Sequence, residues 1–292
     1  MKNFIQRTIT GLLFVAILVI AIIEHSTFYA LLFTVITALS LHEFYSLVRQ
    51  DKTSPKIEML SAIFAGCYFY IVSYLCLFKG ASVICFLPYL LYFIYLSIFE
   101  LYRNDGNPLT NFAYAVMGHI YIVLPFSLFN LLFTPSLKTL SLFNLDDLVT
   151  VSSAYDILQP VLFPLALFIF IWLNDTGAYL AGVTFGKHRL FERISPKKSW
   201  EGFVGGAILD IVVAIVIAHF CPIISVAKWI GYALVVVGVG TYGDLWESLM
   251  KRSVGVKDSG HLLPGHGGML DRFDSVLLAI PAVIIYLYIV CF

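Results

Sequence analysis

The sequence predicts an all-α, polytopic integral membrane protein of about nine transmembrane helices with a cytoplasmic N-terminus. Three observations carry that reading. Hydrophobic residues make up 60% of the 292 positions and charged residues only 12%, and the mean hydropathy is +0.91. A soluble domain has roughly a quarter of its residues charged, so lipid has to cover much of this surface. Apolar runs long enough to cross a hydrocarbon core of about 30 Å, roughly 20 helical residues each, recur along the whole chain. The Lys and Arg residues between them divide unequally between the two sides.

The runs, taken in order, begin with Ile9 to Ile23. Lys2 and Arg7 precede it as in a signal peptide, but Glu24-His25-Ser26-Thr27 offers no small-residue cleavage site and further spans follow, so it reads as a retained anchor. Phe28 to Leu47, Ile57 to Phe78, Ala81 to Leu101 and Phe112 to Phe133 complete about five spans within residues 1–150. Residues 151–292 hold Val161 to Tyr179, Phe203 to Phe220, Trp229 to Leu249 and Ser275 to Phe292, and with their polar loops form the expected catalytic region. The runs are continuously apolar, whereas barrel strands alternate over about ten residues, so helices are predicted. Cys67, Cys76, Cys85, Cys221 and Cys291 lie in or near these runs with no close pair and read as packing residues.

Cytoplasmic loops hold the excess of Lys and Arg. With the N-terminus inside, 15 of the 18 basic residues fall on that side, and only Lys79, Lys138 and Lys228 fall outside. The two richest polar stretches, Asn174 to Gly202 and Met250 to Asp274, then share the cytoplasmic side, where water-soluble nucleotides are available, and are expected to build one site.

The stretch from Ser248 to Asp274 concentrates chemistry in an otherwise oily chain. It holds the cations Lys251, Arg252, Lys257 and Arg272, the carboxylates Asp258, Asp271 and Asp274, and the turn Pro264-Gly265-His266-Gly267-Gly268. Glycines let backbone approach a ligand closely, although such a string is by default a plain interhelical turn. His266 either binds a phosphate, relays a proton or packs the loop. Asp271 and Asp274 stand three apart where the last helix begins, a place that favours anions. Upstream, Asp244 sits near the end of an apolar span, where a carboxylate costs up to about 2.5 to 3.5 kcal/mol and so has a partner or a job. Glu247 and Ser248 share its helical face. One alternative makes Asp244 a helix-end carboxylate paired with Lys251 or Arg252. Asp175 follows the same buried-carboxylate logic. Lys197 and Lys198 are either phosphate ligands or positive-inside anchors, and Trp200 either stacks a base or marks the membrane interface. His119 and Asp210 both fall inside spans, and for Asp210 an interhelical hydrogen bond is expected.

Together, Ser248-x-x-Lys251-Arg252, Lys257-Asp258-Ser259-Gly260, Pro264-Gly265-His266-Gly267-Gly268 and Asp271-Arg272-x-Asp274 resemble the signature of the phosphatidate cytidylyltransferase (CDP-diacylglycerol synthase) family. Asn174 to Tyr179, the run Ser195 to Gly202 and Gly243-Asp244-Leu245-x-Glu247-Ser248 resemble it too, with Ser199 where Thr is common. The detailed likeness covers the C-terminal part of the chain; the first 150 residues resemble the family only as membrane helices. The resemblance implies CTP and phosphatidic acid as substrates, CDP-diacylglycerol and pyrophosphate as products, and Mg2+ as cofactor. It implies a metal held by Asp244 and Asp271 together with Asp274, and catalytic roles for Asp244, Asp271, Asp175, Lys251 and Arg252. Lys197, Lys198, Ser248, Lys257, Asp258, His266, Gly267, Gly268 and Arg272 would bind substrate. Membrane lipids and a homodimer partner are implied, no nucleic acid is expected, and the location is the cytoplasmic membrane. A transporter would share the intramembrane carboxylates but needs no dense phosphate-binding loops. A CTP-dependent lipid-alcohol kinase shares the phosphate and metal logic, and the D-G-x-x-A-R motif of CDP-alcohol phosphotransferases is absent.

Overall fold

The computed structural model describes all residues except 1, 25–26, 52, 54, 134–158, 261–266 and 292. Each of the nine apolar runs falls on a helix. Eight helical segments among the described residues are long and apolar enough to cross a membrane, and the first helix adds the shorter apolar stretch Ile9–Glu24. The chain divides into two compact units, Met1–Asn130 with Met250–Phe273, and Leu131–Leu249 with Asp274–Phe292. The polar segment Met250–Phe273 therefore groups with the N-terminal helices, while the expected boundary at residue 150 lies outside the described residues.

The first unit contains α1 (Lys2–Glu24), α2 (Thr27–Val48), α3 (Met59–Lys79), α4 (Leu87–Tyr102), α5 (Pro108–Gly118) and α6 (Leu124–Phe129). Glu58 starts α3 by accepting from Ser61 N at 2.6 Å, and Gly80 ends it at φ 67°, a left-handed cap that glycine adopts without steric cost. Between α5 and α6 the helix widens into a π turn at His119–Val123. His119 is buried there, its ring nitrogens bonded to the Tyr89 hydroxyl at 2.6 Å and the Ala62 carbonyl at 2.9 Å. Both of its polar atoms are satisfied, so this intramembrane histidine is a packing group. The core is aromatic: Phe33 stacks on Phe129 with centroids 5.1 Å apart, and Phe273 meets Phe126 edge-on at 5.3 Å.

The second unit holds α7 (Leu162–Phe185) and α8 (Trp200–Phe220), joined by the antiparallel hairpin β1 (Arg189–Phe191) and β2 (Ser195–Ser199). Small residues let α7 and α8 close tightly, as in membrane helix pairs generally. A Cβ on Gly177 would sit 3.1 Å from Gly206 Cα, and one on Gly206 would overlap the Asn174 side chain. Two further helices, α9 (Val226–Ser253) and α10 (Leu270–Cys291), pass from one unit to the other, changing at Met250 and at Asp274.

The helices run further than the apolar runs did. Asn174 to Phe185 are helical within α7, Met250 to Ser253 close α9, and Leu270 to Asp274 open α10, so much of both expected loops is helix. Polar side chains end a hydropathy run without ending the backbone hydrogen bonding, which continues until a cap takes over. Ser199 is such a cap, accepting from Gly202 N at 3.1 Å to begin α8.

Candidate active site

The polar residues singled out from the sequence gather into two clusters, one in each unit. In the first unit the centre is Asp271, in the opening turn of α10 and anchored by Phe273, which packs on Phe14, Phe33 and Phe126. Lys251, in the last turn of α9, donates to Asp271 Oδ1 at 2.6 Å, and their side chains are only 10% and 9% exposed. The backbone N–H of Gly268 donates to Asp271 Oδ2 at 2.8 Å, and that of Ser259 at 3.1 Å. Gly267 takes φ 82°, a conformation glycine alone adopts readily, and even there a Cβ would sit 2.7 Å from Asp271 Oδ2.

A second carboxylate completes this cluster, and no motif points to it. Glu43, buried in α2, accepts from Met269 N and Leu270 N at 2.8 Å each and from Ser259 Oγ at 3.1 Å. Gly260 and Gly268 press so closely on it that a Cβ at either would collide with the carboxylate. Glu43 thus consumes the free amides that the start of α10 would otherwise offer an anion. Ser259 touches both carboxylates, through its N–H to Asp271 and its hydroxyl to Glu43. The signal that would have revealed Glu43 is the one applied to Asp244, a lone acid within an apolar span.

The second unit carries a cavity of about 320 Å³ walled by α7, the hairpin, α8, α9 and the second-unit part of α10. Asn174, Asp175, Lys197, Lys198 and Asp244 supply its charge and polarity, with the hydroxyl residues Thr241 and Ser275 beside them. Lys198 Nζ lies 2.5 Å from Asp244 Oδ2, and Ser248 Oγ donates to Asp244 Oδ1 at 3.2 Å. Gly243 positions this carboxylate, because a Cβ there would stand 2.6 Å from the Asp274 carbonyl. Asp244 pairs with Lys198, while Lys251 is bonded to Asp271 and Arg252 donates to the Val256 carbonyl at 2.8 Å. The lysine–carboxylate pair is part-exposed to the cavity, 30% and 28%, and so can exchange partners when an anion and a cation arrive together.

Of the remaining expected residues, Arg252, Lys257, Asp258 and Arg272 are exposed, and His266 lies outside the described residues. Trp200 is 50% exposed at the start of α8. Asp274 accepts from Ser275 N at 2.5 Å. Asp210 is wholly buried, and among the described residues no donor reaches either of its oxygens.

Among the described residues no three His, Cys, Asp or Glu side chains form a ready-made metal cluster. Magnesium does not require one, since it binds through one or two carboxylates, several waters and substrate phosphates. Asp244 fits that demand, being part-exposed on a cavity wall with hydroxyls at hand. Asp271 fits it less readily, because its oxygens are already committed to Lys251 and two amides.

Fold and site together define a polytopic helical membrane protein with paired lysines and carboxylates in glycine-rich surroundings, a set suited to phosphate oxygens. Residues 5–290 match the model of the cytidylyltransferase family, and the chain belongs to that family. A phosphatidate cytidylyltransferase of Staphylococcus aureus (strain COL) is 48% identical over 116 residues, covering 39% of this chain and 44% of the relative. One from Staphylococcus saprophyticus gives the same identity and coverage, and one from Haemophilus influenzae is 44% identical over 122 residues, 40% of this chain and 42% of the relative. The matched segments thus span less than half the length of these curated relatives.

Proposed function

We propose that this protein is a phosphatidate cytidylyltransferase, converting CTP and phosphatidic acid to CDP-diacylglycerol and pyrophosphate at the cytoplasmic face of the cell's inner membrane. The observation that carries this reading is the cavity in which Lys197, Lys198 and Asp244 meet in a chain of the cytidylyltransferase family.

In the reaction a phosphate oxygen of the lipid attacks the α-phosphorus of CTP. A new P–O bond forms as the bond from the α-phosphorus to the bridging oxygen breaks, and pyrophosphate leaves with that electron pair. The attacking oxygen is already anionic near neutral pH, so no strong general base is required. The task of the protein is to orient two anions that repel each other and to neutralise the charge that builds on the oxygens around phosphorus. Lys198 supplies an ammonium that leaves Asp244 for a phosphate oxygen, and Lys197 adds a second one on the same wall. Asp244, relieved of Lys198 and still held by Ser248, would be the residue to hold Mg2+, which when bound would shield the phosphate oxygens. Asp271, Lys251 and Glu43 hold Ser259, Gly268, Met269 and Leu270 in place, and the exposed cations Arg252, Lys257 and Arg272 add positive charge for phosphate.

The test uses purified protein in detergent with phosphatidic acid, CTP and magnesium, and follows cytidine-containing lipid. Lys198→Met is expected to lower kcat/KM by about 10²-fold, the effect of losing a charge-assisted contact of about 1.5–3 kcal/mol. Chelation of magnesium is expected to stop the reaction and re-addition to restore it. Full activity of Lys198→Met would remove the cavity from the reaction.

A further inference from the structure

Asp210 is a buried acid that the reaction above does not use. It lies midway along α8, is 0% exposed, and receives no donor at either oxygen among the described residues. Its electrostatic neighbour is Asp175, another acid rather than a lysine or arginine. One turn earlier on the same face of α8 is Gly206, four residues away, and Asn174 Oδ1 rests directly against it. That oxygen is also buried and, among the described residues, without a donor. Facing helices therefore bury three acceptor oxygens and bring no hydrogen to them. A carboxyl in such a place, lacking both a cation and a donor, is held in its neutral form, and a neutral carboxyl has one O–H to give.

We propose that Asp210 carries a proton in the folded protein and donates it to Asn174 Oδ1, and that this turns the Asn174 amide N–H groups into the cavity as a phosphate-binding element. Asn174 then contacts substrate directly, and Asp210 is a positioning residue that acts through it. The hydrogen on Asp210 then decides which end of the carboxamide faces Asp175, Lys197 and Lys198, the polar groups lining the same cavity. The ligand chemistry is an anionic phosphate oxygen, which either CTP or the lipid head group supplies. This inference rests on the cytidylyltransferase reading for its kinetic part and stands independently of it for the proton.

The test has two readouts on the full-length protein in detergent. Infrared difference spectroscopy between wild type and Asp210→Asn is expected to show the carbonyl stretch of a protonated carboxylic acid in the wild type at neutral pH, absent from the variant. Kinetically, Asp210→Asn keeps a donor for Asn174 and is expected to retain the wild-type KM values. Asp210→Leu has similar size and no donor, and is expected to raise one KM by about tenfold or more at nearly unchanged kcat. Which KM rises, that for CTP or that for phosphatidic acid, identifies the source of the phosphate oxygen. Should Asp210→Leu fail to fold, Asn174→Asp gives the same information, since it keeps the acceptor and loses the amide hydrogens: the same KM should rise while the carboxylic-acid band persists. Absence of the band, or wild-type KM values in Asp210→Leu or Asn174→Asp, would overturn the proposal. A wild type that shows the band but makes no cytidine lipid would overturn the reaction instead and leave the proton in place.

Discussion

Asp271→Asn is expected to destabilise the protein by about 3–5 kcal/mol, because it breaks a nearly buried ion pair with Lys251. The amides of Gly268 and Ser259 lose an ionised acceptor in the same step. Thermal unfolding in detergent should record the loss, and the turnover of CTP should fall with it. Adding Lys251→Met to Asp271→Asn removes the lysine charge as well, so part of the stability should return while activity does not. That combination separates the structural cost of breaking the pair from its part in the reaction. A single variant melting at the wild-type temperature would mean that the pair contributes nothing.

Glu43→Ala should have a comparable effect from the other side of the same segment. It strips the acceptor from Ser259 Oγ, Met269 N and Leu270 N, and each buried donor left alone costs about 1–3 kcal/mol. Glu43→Gln is expected to recover little, because an amide has one carbonyl oxygen and presents its own hydrogens to donors. Hydrogen exchange provides the local readout: the amides of Met269 and Leu270 should exchange much faster in Glu43→Ala, while those in the middle of α8 keep their protection. Unchanged exchange at those two amides would contradict the role given to Glu43.

These two residues also mark how much the sequence reveals. The eight long apolar helices among the described residues are legible because lipid demands uninterrupted apolar length, and that demand is written directly into the residues. Helix ends are less legible. Asn174 and Lys251 read as loop because they are polar, yet α7 and α9 carry them on helical backbone. The hairpin from Arg189 to Ser199 escapes prediction because its residues are charged, proline-containing and lack the alternation that marks a strand.

Within the site, the residue types are legible and the pairings are not. Local spacing suggests Lys251 or Arg252 for Asp244, whereas the partner is Lys198, brought by the hairpin. Glu43 reaches Ser259, Met269 and Leu270 across 216, 226 and 227 positions of chain. No periodicity encodes a contact of that range; what the sequence does encode is the cost of an acid in an apolar helix, and Glu43, Asp210 and Asp244 all satisfy that criterion.

The account stands most directly on the fate of the two ends of CTP. With CTP labelled at the α-phosphate or the γ-phosphate, and with phosphatidic acid and magnesium present, the α-label is expected to enter lipid and the γ-label to leave in pyrophosphate. Appearance of the γ-label in lipid would make the protein a kinase, and no consumption of CTP by folded protein would contradict the account altogether.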